Sequence, residues 1–322
     1  MSADPPPPIS AAALAEDAIV RFRGDRPQDG WRAALHRATG GLVNPGIGAA
    51  EAARQQWRAR IRRPLPGTHR IAVGSVKGGV GKTTVAACLG LVLAANRGDR
   101  VVALDADPDA GTLAERLGVR PPGSVRDLLA HLDAVAALAD VDGHLGTAGR
   151  LHVLAADQDP AVDEPLDPAD HDRISAVLAR FHDILITDPG TGLMHAVMRA
   201  TLDRADSLVV VGAPAVDAAS RTAATLDWLD AHGHGALAAD AVVVLSLDRG
   251  SADIDRERVR RYFAARCRAV VEVPHDPHLA TGDRIDPARL RPATHDAFLL
   301  LAALVADRFG VPAAEAAVPA GT

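Results

Sequence analysis

Val76-Lys77-Gly78-Gly79-Val80-Gly81-Lys82-Thr83-Thr84 is the stretch whose reading decides the fold. The apolar run at residues 70–76 predicts a strand before it. Residues 83–96 predict a long helix after it, with Val85, Ala86, Leu89, Leu91, Val92 and Leu93 as apolar positions. Strand, glycine loop and helix in that order is the context a phosphate-binding loop requires. Glycine lets the backbone approach a phosphate closely and adopt positive φ. The helix that follows begins with unpaired N–H groups and a partial positive charge, which favour an anion. In this setting Gly78, Gly79, Val80, Gly81 and Thr84 form the cradle. Lys82 reaches the β- and γ-phosphates, and the Thr83 hydroxyl ligates Mg²⁺. The alternative, a glycine-rich turn with an incidental lysine, does not account for the flanking strand and helix.

Composition singles out the same loop. Of 35 basic residues only two are Lys, and they are Lys77 and Lys82. In a chain that otherwise uses Arg, the loop keeps the compact ammonium that can follow a phosphate and that a planar guanidinium does not replace. At 322 residues and 48% hydrophobic content, the chain holds one large α/β domain with arms or two small domains. Aromatics are 3%, so the core is Ala, Val and Leu. The two cysteines, Cys88 and Cys267, fall in predicted helices without paired spacing, which argues against a disulfide framework or zinc site and fits a reducing cytoplasm. No apolar run reaches the roughly 18 residues of a membrane span. The Pro-rich N-terminus lacks a signal-peptide core.

Charge divides the chain. Residues 1–70 carry 11 Arg against 6 acidic residues, and residues 71–322 carry 24 basic against 35 acidic. A basic arm, residues 1–69, is expected to precede an acidic domain, residues 70–310, with a frayed Ala/Pro/Gly-rich tail at 311–322. Within the arm, Pro5 to Pro8 predict extended chain, and short helices are expected at 11–23 and 31–38. Residues 49–63 predict a helix with Ala53, Trp57 and Ile61 on one face and Arg54, Arg58, Arg60, Arg62 and Arg63 on much of the rest. Such a helix either docks on anionic lipid, nucleic acid or an acidic partner, or packs through Trp57 on the following domain. The narrow apolar stripe favours packing.

From residue 70 the pattern alternates. Strands are expected at 70–76, 100–105, 151–155, 183–187, 207–213, 241–247 and 269–273, with helical runs between most of them. That order predicts an α/β fold, a mostly parallel sheet with helices on both faces and ligands at the carboxyl ends of the strands. Ser124 is expected to cap a helix running to Leu132, with Asp127 in its first turn.

The eight residues Lys77 to Thr84 resemble the deviant Walker A motif of the MinD/ParA ATPases, in which Val76 stands where an ordinary loop has Gly. The resemblance covers about residues 70–309. It implies a P-loop ATPase that binds ATP and Mg²⁺ and forms a nucleotide-sandwiched homodimer. Lys77 then reaches across to the partner's phosphates, acting as an arginine finger does in trans. Asp105-Ala106-Asp107-Pro108 resembles switch I, where Asp105 organises the metal site and Asp107 orients the attacking water. The bland reading of both is a strand-end cap or turn former. The run ending Thr187-Asp188-Pro189-Gly190 resembles a Walker B strand with Asp188 at the metal, and Gly190 and Gly192 resemble a mobile switch II. Pro274, in the loop 273–277, resembles one wall of the base pocket. Where the family often places Asn beside the purine, this chain has Ser246 or Leu247.

Other branches of the fold fit less well. Iron–sulfur carriers need suitably placed cysteines, the tyrosine kinases need a Tyr-rich tail where this chain has only Tyr262, and arsenite-type pumps need two loops. The tail lacks the basic amphipathic pattern by which MinD-type proteins hold membrane. Residues 31–41 and 276–282 resemble actinobacterial MinD-like proteins of the EspI-like, type VII secretion-associated group. The expectation is a cytoplasmic Mg-ATPase switch with a protein partner in positioning, partitioning or secretion, the arm being the candidate reader. A ParA-like ATPase binding DNA through Arg256, Arg258, Arg260 and Arg261 is one alternative, and an ATP-dependent amide synthase or ligase is another. A metal site at His275, Asp276 and His278 is disfavoured by its spacing.

Overall fold

The computed structural model describes residue 27 and residues 30–75, 78–107, 111–157, 166–190, 196–214, 216–247 and 255–311. Lys77, Gly192, the expected helix at 11–23 and nearly all of the expected tail lie outside the described residues. The chain divides into two compact units between Gln56 and Trp57.

In the first unit α1 spans Gly30–Ala38, and α2, Ala49–Ile61, runs from this unit into the second. Thr39 closes α1: its hydroxyl donates to the Leu35 carbonyl at 2.9 Å, and Gly40 and Gly41 turn the chain with positive φ.

The second unit is built on eight strands: β1 His69–Gly74, β2 Val101–Asp105, β3 Gly146–Ala148, β4 Leu151–Leu154, β5 Ile184–Asp188, β6 Ser207–Gly212, β7 Val242–Ser246 and β8 Ala269–Val273. They form one sheet in the order β3-β4-β2-β5-β1-β6-β7-β8. Every pairing is parallel except β3 with β4. Alternation within each strand assigns its two faces. Ile71 and Val73 of β1 and Val101 and Ala103 of β2 join one core cluster, while Ala72 and the pair Val102 and Leu104 join others on the opposite face. A sheet buried on both sides explains why the strands read as continuous Val, Ile, Leu and Ala.

Helix α3, Lys82–Asn96, lies over the centre of the sheet with α13, Pro292–Ala306, beside it. Gly90 of α3 sits where a Cβ would come within 2.9 Å of Leu151, so the helix approaches the sheet closely at this point. The opposite face is covered by α7 Pro168–Phe181, α8 Ala196–Arg204, α9 Val216–Ala231, α10 Gly235–Ala239 and α11 Arg256–Ala264, together with α5 Val125–His131. Short helices α4 Leu113–Leu117, α6 Leu138–Asp142 and α12 Pro277–Ala280 complete the unit. Helix α5 begins with the expected Ser124 cap, made reciprocal because the Asp127 side chain accepts from the Ser124 backbone at 2.7 Å.

At the C-terminal end of α2, Ile61 is fully buried and Trp57 packs against the cluster that includes α3 and α13. Arg60 and Arg63 both donate to Asp307 Oδ1 at 3.0 Å, and Arg62 donates to the Asn96 carbonyl at 3.2 Å. Two sequence expectations are corrected. The antiparallel edge strand β3 was absent from the strand pattern, and Cys267 lies in the bend between α11 and β8, not in a helix. Both cysteines are free and buried, and burial pushes the Cys88 thiol up to about 12.

Candidate nucleotide site

The carboxyl ends of β1, β2, β5, β7 and β8 converge on one edge of the sheet. The loop after β1 is wound by Gly79 and Gly81, at φ 78° and 92°, and Gly81 is the residue from which α3 starts. A β-carbon at either position would be strained in this left-handed region. The first turn of α3 therefore directs its free N–H groups into the loop. Thr83 and Thr84 stand on that turn, and Lys82 is almost fully buried.

Two strand-end carboxylates face this loop from the side. Asp105 of β2 and Asp188 of β5 are register partners on neighbouring strands, and each is 1% exposed. Lys82 Nζ is ion-paired with Asp188 Oδ1. Asp105 accepts from the Leu113 backbone at 2.9 Å and from the Asp107 backbone at 3.3 Å. Burial, and then the charge of Asp188, push the Asp105 carboxyl up to about 7. Asp107 lies two residues further on, half-buried, where the chain leaves the sheet. Residues 108–110 are outside the described set.

On the other side of the loop opens a cavity of about 260 Å³. Gly79, Gly81 and Thr84 form one wall, and Ser246, Leu247 and Pro274 form another. The structure thus brings Ser246 and Pro274 to the same space as the glycine loop, although they lie more than 150 residues from it in the chain. A cavity walled by the glycine loop and the first turn of α3, on a sheet edge that also carries two buried carboxylates, one of them paired with an ammonium, fits a nucleoside phosphate and a divalent cation. Thr83, Asp105 and Asp188 supply hard oxygen donors of the kind Mg²⁺ takes.

Two site residues carry little sequence signal. Gly111 packs so tightly on Asp105 that a β-carbon there would overlap the carboxylate. Arg116 of α4 donates to Thr84 Oγ1 at 2.8 Å. Glycines and arginines are common in this chain, and only proximity in the fold distinguishes these two.

Other candidates resolve into structure. His278 Nε2 accepts from the Asp286 backbone at 2.8 Å, and Asp276 caps α12 by accepting from His278 N at 2.9 Å. No group of three or more metal-binding side chains occurs among the described residues. On α11, Arg260 makes two bonds to Glu257, at 2.9 and 2.7 Å, and Arg261 lies 3.9 Å from the same carboxylate. That acidic residue offsets part of the basic face that the DNA-binding alternative would use. No helix among the described residues is long and apolar enough to cross a membrane.

Sheet order, loop and paired carboxylates define a P-loop nucleotide-binding domain. A model of the CobQ/CobB/MinD/ParA nucleotide binding domain matches residues 71–265, and the chain belongs to that family. It is 35% identical over 286 residues to the ESX-1 secretion-associated protein EspI of Mycobacterium tuberculosis, in strains H37Rv and CDC 1551 alike. The match covers 88% of this chain but only 42% of those relatives, so the chain spans about two fifths of their length. In fold it is similar to a ParA family ATPase from Chlorobium tepidum, with a TM-score of 0.61 at 17% identity over 73% of this chain and 98% of that one. It is also similar to the septum site-determining protein MinD of Pyrococcus horikoshii, solved with Mg-ADP, with a TM-score of 0.59 at 22% identity over 73% of this chain and 94% of that one.

Proposed function

We propose that the chain is a Mg²⁺-dependent ATPase that acts as a nucleotide-controlled dimerisation switch, read by a protein partner in a secretion-associated role. The observation that carries the reading is the meeting, at one sheet edge, of the glycine loop, Lys82, Asp105, Asp188 and the cavity walled by Ser246 and Pro274. The 35% identity to EspI supports the secretion context.

ATP enters with its base between Ser246 and Pro274 and its phosphates on the loop, against the N–H groups of residues 78–84. Lys82 then exchanges one anionic partner, Asp188, for the β- and γ-phosphates. Thr83, Asp105 and Asp188 would hold Mg²⁺, which would supply positive charge to offset the negative charge developing on the phosphates. Asp107 orients the water that attacks the γ-phosphate. Lys77, in the loop's entry, completes the site of a second copy, so the ATP form pairs and the ADP form separates. In this account residues 1–69 are the arm that meets the partner, residues 70–310 the ATPase domain, residues 311–322 a tail, and the setting is the cytoplasm. A partner is controlled only if it binds the paired form more tightly than the single one.

Titration calorimetry with Mg-ATP, beside a phosphate-release assay, tests the enzyme. The wild type binds and slowly hydrolyses ATP. Lys82→Ala and Asp188→Ala lose binding. Asp107→Ala still binds but turns over about 10²–10⁴-fold more slowly, the usual contribution of a group that positions or activates the attacking water. A wild type that binds no nucleotide overturns the reading, as does unchanged turnover in Asp107→Ala.

A further inference from the structure

Arg116 is a cation in an unusual place. It is 7% exposed, and its guanidinium donates to Thr84 Oγ1 at 2.8 Å, to the Asp283 carbonyl at 2.6 Å and to the Leu279 carbonyl at 3.4 Å. These three acceptors are neutral, and among the described residues Arg116 forms no ion pair, although the charge of the Asp283 carboxylate acts on it and partly offsets the cost of its burial. A buried guanidinium is costly unless its charge is offset, and Asp283 offsets it without forming an ion pair. Thr84, its other partner, lines the nucleotide cavity, where a phosphate would offset more of the charge.

A threonine hydroxyl has one proton to donate and two lone pairs to accept with, while a guanidinium only donates. Arg116 therefore fills a lone pair of Thr84 Oγ1 and leaves the hydroxyl proton for another acceptor. Because Thr84 faces the cavity, that acceptor is an oxygen of the bound nucleotide. Polarisation along the chain, guanidinium to hydroxyl to phosphate, makes Thr84 a stronger donor than an isolated hydroxyl.

The same residue joins three parts of the site. Its helix, α4, starts at Leu113, whose N–H is held by Asp105. Its side chain holds α3 at Thr84. Its carbonyl accepts from Ile285 N at 2.7 Å, and its guanidinium holds Leu279 and Asp283 on the segment that begins with α12. Leu279 lines the cavity. One short helix thus ties the carboxylate at the metal side to the opposite wall.

We infer that Arg116 is a positioning residue for the nucleotide phosphates. It acts through Thr84 and holds the α12 wall against the cavity. The inference rests on the nucleotide-site reading above.

The test is a double-mutant cycle read by calorimetry with Mg-ATP, on the full chain, for the wild type, Arg116→Met, Thr84→Val and the double variant. Each single change is expected to weaken binding by about 10–100-fold, the range for a lost hydrogen bond to a charged group. The double variant is expected to bind within about twofold of the weaker single variant, since both changes break one chain. Arg116→Lys retains one donor and is expected to fall between wild type and Arg116→Met. It serves in place of Arg116→Met if that variant does not fold, paired with Thr84→Val in the same cycle. Losses that multiply in the double variant overturn the inference, because Arg116 then acts independently of Thr84. Wild-type affinity in a folded Arg116 variant also overturns it and leaves the nucleotide reading standing. A wild type that binds no Mg-ATP overturns both.

Discussion

Asp188 is paired with Lys82 in a region where neither is exposed beyond a few per cent. A buried ion pair is held at the cost of desolvating both charges, and removing one partner strands the other. The residues that would grip phosphate and metal are therefore engaged with each other before either arrives. Asp105, beside Asp188 on the next strand, is held by the Leu113 and Asp107 backbone donors, with Gly111 packed against it. A methyl at 111 has no room without displacing the carboxylate. Gly111→Ala is expected to destabilise the domain by about 1–3 kcal/mol, as overpacking does. It should also weaken Mg-ATP more than nucleotide without Mg²⁺, since the proposed function gives Asp105 to the metal. Thermal unfolding and paired titrations with and without Mg²⁺ measure both, and equal losses in the two titrations would detach Asp105 from the metal. Lys82 and Asp188, which the structure pairs, were singled out in the sequence by the loop motif and by an apolar strand that ends in Asp. Gly111 and Arg116 were not, because their roles arise from contacts with Asp105 and Thr84 that no local pattern encodes.

At the scale of elements, all seven expected strands are present, for a physical reason. A parallel sheet covered on both faces demands consecutive β-branched and aliphatic residues, and such runs stand out in an Ala- and Arg-rich chain. Strand β3 escaped because Gly146-Thr147-Ala148 is short, lies on the edge and needs no apolar run to pair with β4. Helix α5 was legible from Ser124 and Asp127, whose reciprocal bonds depend on sequence neighbours alone. In the C-terminal part of α2 the narrow apolar stripe favoured packing over an interaction surface, and Trp57 and Ile61 do pack on the core. What charge patterning did not reveal is that Arg60 and Arg63 meet at Asp307, a residue far away in sequence. Pro274 lines the cavity beside the glycine loop, in a stretch the sequence had singled out, whereas nothing in the sequence marked the fixing of α12 by Arg116.

At the scale of the molecule, buried titratable groups set how stability follows pH. Burial lowers His69, His171 and His182 to about 4. A depressed histidine contributes stability that is present above its unfolded value of about 6.5 and is lost as pH falls toward 4. Asp105 has the opposite sign. Its raised value gives stability that is present below about 4 and is lost as pH rises toward 7. Between pH 6.5 and 4 three groups therefore oppose one, and the unfolded chain binds more protons. The melting temperature is expected to fall on acidification from pH 6.5 to 4.5 and to change little just above pH 7. A melting temperature that is flat or rises toward pH 4.5 would contradict the burial of these histidines as the controlling feature.

Switching also belongs to this scale, because it requires two copies. In the proposed function the loop, the carboxylates and the cavity hold Mg-ATP in one copy, and Lys77 links that copy to a second. The most direct measurement is molar mass by light scattering on Asp107→Ala, with and without Mg-ATP, beside the same protein carrying Lys77→Ala. A single copy is expected without nucleotide, a pair with Mg-ATP, and no pair once Lys77 is removed although ATP still binds. A protein that binds Mg-ATP and stays single, or pairs equally well without Lys77, would contradict the switch.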